Sequence, residues 1–198
     1  MLRHLVTVLI AAACFATASA QELSLAEADA MEAKLMRVEA AAATPRPAGA
    51  PPLRTTFTER EINAYFRHYG PDFLPAGIAR PQVAIGDGGR IVARAIVDLD
   101  GVRVARERSL FDPLAYLTGS VEVVAAGTIA GADGFGIVRF ESATVAGVSV
   151  PKSVAQELLR FYTRSLERPS GFEFDKPFEL PAQARAVTAA RGTATVVQ

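Results

Sequence analysis

The feature that most constrains the fold is a pair of strand patterns joined by a short turn, in PQVAIGDGGRIVARAIVDLDG. In its second half, Ala93, Ala95 and Val97 point to one side of an extended chain. Arg90 and Arg94 point to the other side, which predicts one apolar and one polar face. The Asp-Gly-Gly turn tolerates positive φ, so the two segments are predicted to pair as an antiparallel hairpin.

A second hairpin is predicted in SVEVVAAGTIAG and FGIVRFESATV, with an Ala-Asp-Gly turn between them. Val123 and Ala125 share one face of the first strand, and Phe140 points inward from the second. The connections are too short for parallel crossovers. Because helical patterns flank these strands, the predicted fold class is α+β, with a single curved antiparallel sheet packed on helices.

Helix starts are marked by capping boxes. In FTEREINAYFRHYGP, Thr58 caps a helix and Glu61 has the spacing to reach back to the Thr58 backbone. Ser24 and Glu27 have the same spacing before an apolar periodicity, which predicts a helix over residues 24–42. Gly-Pro at 70–71 is predicted to end the Thr58 helix.

The first residues, MLRHLVTVLIAAACFATASA, have the basic, apolar and small-residue regions of a secretory signal cleaved after Ala20. Lipidation at Cys14 is the less favoured alternative, since no Leu precedes the cysteine and apolar Phe15 follows it. We therefore expect an exported protein, periplasmic in a bacterium. The predicted organisation is a signal peptide (1–20), an N-terminal helical extension (21–43), a Pro-rich linker (44–54) and an α+β domain (55–198).

Removal of the signal peptide takes away residue types that catalytic and metal sites commonly use. It takes away Cys14, the only cysteine, and leaves His68 as the only histidine. We therefore expect no disulfide, metal site, cofactor or catalytic residue. Loss of Arg3 leaves 21 − 1 = 20 basic residues against 21 acidic ones. This balance gives no electrostatic reason to expect nucleic acid as a partner.

The segment GVSVPKSVAQELLRFYTRS predicts a helix with an unusually wide apolar side. At 100° per residue this side covers roughly 160°, against the stripe of about 100° or more on ordinary surface helices. The residues on this side that are predicted to contact a ligand are Val154, Leu158, Phe161 and Tyr162. The sheet residues expected to face them are Ala93, Ala95, Val97, Val123, Ala125 and Phe140. Many of these are small, so either the helix packs closely or an apolar ligand fills a gap.

Several segments resemble exported bacterial proteins of the LmeA/DUF2993 type, near the tubular lipid-binding (TULIP-like) group. They are FTEREINAYFR, LPAGI, IVARAIVDLDG, GVSVPKSVAQELLRFY and KPFELPAQARAVTAARGTATV, and they span roughly residues 57–197. The resemblance implies a strongly curved sheet wrapped around a long helix, with an apolar groove for lipid tails, outside the cytoplasm. It implies no catalytic residues.

The leading hypothesis is non-enzymatic binding or transport of a lipid or another hydrophobic molecule, in a groove between helix and sheet. Transient membrane contact is compatible with it. The alternative is an envelope interaction module with a filled core, which binds a protein partner through residues 21–43. A hydrolase built around His68 is the third and weakest reading, because no nucleophile motif accompanies that histidine.

Overall fold

A computed structural model describes residues 22–44, 47, 49–74, 77–98, 119–164 and 169–198, without the side chains of Phe161 and Tyr162. The fold is α+β, with a nine-stranded antiparallel sheet that is not closed. Its helices are α1 (Leu25–Ala43), α2 (Glu59–His68), α3 (Gly70–Phe73) and α4 (Lys152–Thr163). Its strands are β1 (Arg54–Thr58), β2 (Ile78–Ile85), β3 (Arg90–Asp98), β4 (Ser120–Ala132), β5 (Phe135–Val145), β6 (Val148–Ser149), β7 (Phe178–Glu179), β8 (Ala186–Ala190) and β9 (Thr193–Val197).

The strand order is β1-β9-β8-β4-β3-β2. Strand β5 pairs with β4 outside this order, and β6 and β7 each pair with β5. Strands β2 to β5 form two consecutive hairpins, as the sequence predicts. Ala93 pairs with Ala125, and Ala95 pairs with Val123. These residues therefore share one face of the sheet, as expected from the period of two. Strands β8 and β9 form a third hairpin, with Gly192 in its turn at φ 72°.

Both predicted capping boxes are present. The backbone N–H of Glu27 donates to Ser24 Oγ, and the N–H of Glu61 donates to Thr58 Oγ1, each at 3.2 Å. Each glutamate carboxylate in turn accepts from the backbone N–H of its cap residue. Because a capping box needs only residues three apart in sequence, local spacing suffices to predict it.

Three helix and strand boundaries differ from the sequence prediction. The first strand pattern in the sequence begins at Pro81, but β2 begins at Ile78 with a bulge between Ala79 and Gln82. Pro81 fits within β2 because an edge strand has N–H groups that need no partner strand. Gly70 and Pro71 open the one-turn helix α3 after α2 ends. Pro151 is the residue before α4, and Lys152 is the first helical one.

Helix α1 packs on the rest of the chain and does not project away from it. Ala28 is fully buried, and α1 lies against α2 and β1. Arg60 Nε donates to Glu27 Oε1 at 2.7 Å, and Lys34 Nζ lies 2.7 Å from Glu61 Oε2. The sequence pattern defines this helix but not its position, since these partners lie 33 and 27 residues apart.

Side chains from the helices cover backbone groups on the sheet edges. The Asn63 side chain donates to Val83 O at 2.8 Å and accepts from Val83 N–H at 2.7 Å. One turn earlier, Glu59 Oε2 accepts from Ile85 N–H at 2.8 Å. Three backbone groups near the end of strand β2 thus have side-chain partners on α2. An edge covered in this way is protected from pairing with another chain.

Some sequence predictions lie outside the described residues. These are the signal peptide (1–20), Leu99 and Asp100 at the end of the first hairpin pattern, and residues 45, 46 and 48 of the Pro-rich linker. The end of that linker is described. Leu53 and Gln198 exchange backbone hydrogen bonds of 2.9 Å, which extends the β1–β9 pairing by one residue pair.

Candidate functional site

Helix α4 is attached to the chain that follows it through polar side chains. Gln156 Nε2 donates to Phe172 O at 3.1 Å, and Gln156 Oε1 accepts from Phe174 N–H at 2.8 Å. Thr163 Oγ1 accepts from Phe172 N–H at 2.6 Å. An amide that both donates to and accepts from an extended backbone holds that backbone in one register. We call residues 171–176 the α4 strap.

Ion pairs reinforce the contact between α4 and the α4 strap. Lys152 pairs with Asp175, and Arg160 pairs with Glu173. The Lys152 ammonium lowers the pKa of Asp175. Lys176, and then Arg160, lowers the pKa of Glu173. Both carboxylates are therefore held in the charged form that the pairs need.

Gly171 allows the α4 strap to approach the helix backbone. Its φ is +70°, and a Cβ at this position would lie 2.1 Å from Arg160 O. Beyond it, Asp175 N–H donates to Val138 O on β5 at 2.8 Å. The rings of Phe174 and Phe140 lie 5.1 Å apart between centroids. The strap therefore joins the polar side of α4 to strand β5.

This attachment uses the polar side of α4 and leaves Val154, on the apolar side, exposed among the described residues. Around the helix, Val154 and Leu158 lie about 120° to 160° from Lys152, Gln156 and Arg160, at 100° per residue. Val154 is 43% exposed and Leu158 is half-buried. The other α4 residues predicted to bind ligand, Phe161 and Tyr162, have side chains outside the described part of the structure.

The predicted sheet residues lie together on one face of β3, β4 and β5. Ala93 is exposed. The others are half-buried, namely Ala95, Val97, Val123, Ala125 and Phe140. Phe140 pairs with Gly127 on β4 and touches Phe174 of the α4 strap. Among the described elements, β5 is the strand in closest association with α4. The structure thus groups the sheet residues on one face and places Phe140 in contact with the α4 strap.

Sequence reasoning missed the α4 strap. The signal was present, because Lys152, Gln156 and Arg160 follow one another at four-residue spacing on one side of a helix. An acidic, alternating stretch, GFEFDK, follows the helix. The polar side of α4 was therefore available for a specific partner within the chain.

His68 has a structural contact. Its Nε2 lies 3.0 Å from the backbone O of Leu23, near the end of α2. Within the described ranges, no group of three or more His, Cys, Asp or Glu residues has the arrangement to hold a metal ion. The helices in those ranges also include none that is long and apolar enough to cross a bilayer.

Comparisons with protein-family models, with curated proteins and with solved structures find no match to this chain. The resemblance to the LmeA/DUF2993 type therefore stays a prediction from the quoted sequence segments. The structural features that bear on function are therefore the geometry of α4, its strap and the sheet face.

Proposed function

We propose that the protein binds a lipid or another hydrophobic molecule without chemically changing it, against the open side of α4. The observation that carries the proposal is the attachment of α4 by its polar side, through Gln156 and Thr163. Helices ordinarily dock by their apolar side and turn the polar side to water. Here the polar side has partners within the chain, while Val154 on the apolar side is 43% exposed.

The sheet face described above supports the same proposal. Alanines at 93, 95 and 125 occupy little volume, so they leave room above the strands. Binding sites for small apolar molecules are concave surfaces with mostly hydrophobic linings. We propose that the sheet curves around α4 and that the ligand lies between them, against Val97, Val123 and Phe140 on the sheet.

Burial of hydrocarbon supplies the affinity in this proposal. Each methylene group removed from water contributes about 0.8 kcal/mol. A chain of about ten methylenes therefore contributes about 8 kcal/mol before the cost of immobilising it. Micromolar binding needs about 8 kcal/mol after that cost, so it requires the larger hydrocarbon surface of a diacyl molecule. Export to the periplasm, with lipid transport or envelope assembly as the role, is part of the proposal, and the signal-like N-terminus supports export.

Native mass spectrometry of the exported, purified protein tests the proposal directly. We expect co-purified lipid, or saturable binding of an uncharged fluorescent diacylglycerol, whose size excludes it from small surface clefts. Val154→Glu places a charge on the open side of α4 and should weaken binding at least about tenfold. Val148→Glu is the matched control, because Val148 is 69% exposed and lies on β6. Equal effects of the two variants, or no binding by the wild type, would contradict the proposal.

A second candidate function is recognition of an envelope protein through residues 21–43. Leu25 is 54% exposed and Met36 is 61% exposed. They are separated by 11 positions on α1, which places them within about 20° of each other around the helix. A double variant, Leu25→Glu with Met36→Glu, should abolish crosslinking to an envelope partner and leave diacylglycerol binding intact. Retained crosslinking would exclude this surface.

A further inference from the structure

A separate cleft lies between α2, α3 and strand β2, and none of its lining residues belongs to α4 or to the α4 strap. Its volume is about 350 Å³. Phe66 and Leu74 line it from the helical side, Ile78 and Pro81 line it from β2, and Leu23 closes one end. Its walls are therefore largely apolar and come from segments far apart in sequence.

Two arginines also line this cleft, Arg67 from α2 and Arg80 from β2. Arg67 Nη2 lies 3.3 Å from Glu22 Oε1, and both side chains are mostly exposed. Such a surface ion pair is weak and exchanges readily with solvent. No carboxylate of the described residues lies within ion-pair distance of Arg80. The cleft therefore combines apolar walls with a local excess of positive charge.

The backbone at Arg80 is held in an uncommon conformation. Its φ is +49°, in the left-handed region that side chains other than glycine seldom adopt. Arg80 lies in the bulge between Ala79 and Gln82 and immediately before Pro81. Bulges change the direction of a side chain and are common next to binding sites. In a regular strand, the Arg80 side chain would point to the opposite face of the sheet from its two neighbours.

We propose that this cleft is a second binding site, for a single-chain amphiphile with a carboxylate head. The hydrocarbon would lie against Phe66, Leu74 and Ile78, and the carboxylate would accept hydrogen bonds from Arg80 and Arg67. Arginine suits this role because its planar guanidinium matches a carboxylate with two parallel hydrogen bonds.

The volume sets the size of the ligand. At about 30 Å³ for each water in the liquid, the cleft holds about a dozen waters. It therefore admits a ligand of about a dozen non-hydrogen atoms, such as decanoate, and is too small for a diacyl lipid. The chemistry thus differs from that proposed for α4, where an uncharged, larger molecule is the test ligand.

Isothermal titration calorimetry with decanoate, below its micellar concentration, tests the site on the whole mature chain. We expect saturable binding of one decanoate, and weaker binding of uncharged 1-decanol. Arg80→Gln should weaken decanoate binding at least about tenfold, because it removes a charge-assisted hydrogen bond. Arg80→Lys keeps the charge and should restore part of the affinity. Arg185→Gln, at an exposed arginine outside the cleft lining, is the matched control.

Further variants separate this site from the α4 surface and from unfolding. Ala79→Phe fills the exposed edge of the cleft while keeping both arginines, and it should abolish decanoate binding. Val154→Glu should leave decanoate binding unchanged. Thermal unfolding of each variant identifies any loss of fold. If Arg80→Gln unfolds, the decanoate affinity of Arg80→Lys is compared with that of the wild type instead. Equal affinities of Arg80→Gln and Arg185→Gln, or loss of decanoate binding in Val154→Glu alone, would overturn the proposal.

Discussion

At the scale of single residues, Glu27 connects the two N-terminal helices. Its carboxylate accepts from Arg60 on α2 and from the Ser24 backbone at the start of its own helix. The Arg60 hydrogen bond, followed by the Ser24 backbone N–H, lowers the pKa of Glu27 from 4.5 to about 2. The hydrogen bond from Ser24 was predictable from sequence spacing alone. The hydrogen bond from Arg60 was not, because it depends on how α1 and α2 pack together.

The pKa of Glu27 leads to a prediction about acid stability. Because the pKa is lower in the folded state, the contribution of Glu27 to folding is complete above about pH 4.5. It is lost as the pH falls from 4.5 to about 2. In Arg60→Gln we expect the Glu27 pKa to move up toward 4.5, measured by carbon-detected NMR titration of the carboxylates. The acid unfolding midpoint should move up with it.

The control for this titration is Arg37→Gln, which removes a charge from α1 at an exposed position. It should leave the Glu27 pKa near the wild-type value. A wild-type Glu27 that titrates near 4.5 would mean that the contact with Arg60 does not persist in solution.

At the scale of secondary-structure elements, local patterns predicted the existence of α4 but not its attachment. Its apolar residues follow a 3.6-residue period, which any helix pattern reveals. Its partner, the α4 strap, contacts it through Gln156 and through the close approach at Gly171. A backbone contact of that kind leaves only a glycine as its trace in the sequence, and glycines also occur in ordinary turns.

Gly171→Ala tests the strap contact. The new Cβ would meet Arg160 O at 2.1 Å, in addition to the strain of an alanine at φ +70°. Gly147→Ala is the matched control, since Gly147 has φ +78° and nothing within 4 Å of the added Cβ. Gly147→Ala should cost about 1–2 kcal/mol from conformation alone. The free energy of unfolding in urea should fall by about 1–3 kcal/mol more for Gly171→Ala.

Similar losses in the two glycine variants would indicate that the strap does not lie against the backbone of α4. In that case the polar side of the helix would be available to solvent, and the argument for a ligand on its apolar side would lose its main support. The comparison therefore examines the geometry behind the proposed function without requiring a ligand.

At the scale of the whole molecule, the hairpins were predictable and the joining of the sheet was not. Hairpins follow from alternation and turn residues within about 25 positions. The β1-β9-β8 part meets β4 through the pairing of Gly131 with Val187, and β1 comes from the segment next to the linker. Such long-range pairings depend on total packing, which short sequence windows do not contain. The α+β class with one antiparallel sheet is nevertheless confirmed.

An open sheet of this size requires protection at its edges, and Asn63 provides part of it. Asn63→Ala leaves the N–H and the C=O of Val83 without their side-chain partner. We expect a loss of about 1–3 kcal/mol in the free energy of unfolding. Because an uncovered edge can pair with a second chain, light scattering should also rise with protein concentration. Glu59→Gln is the control, since its amide oxygen can still accept from Ile85 N–H. If Asn63→Ala stays monomeric and as stable as Glu59→Gln, covering of this edge is not what keeps the molecules apart.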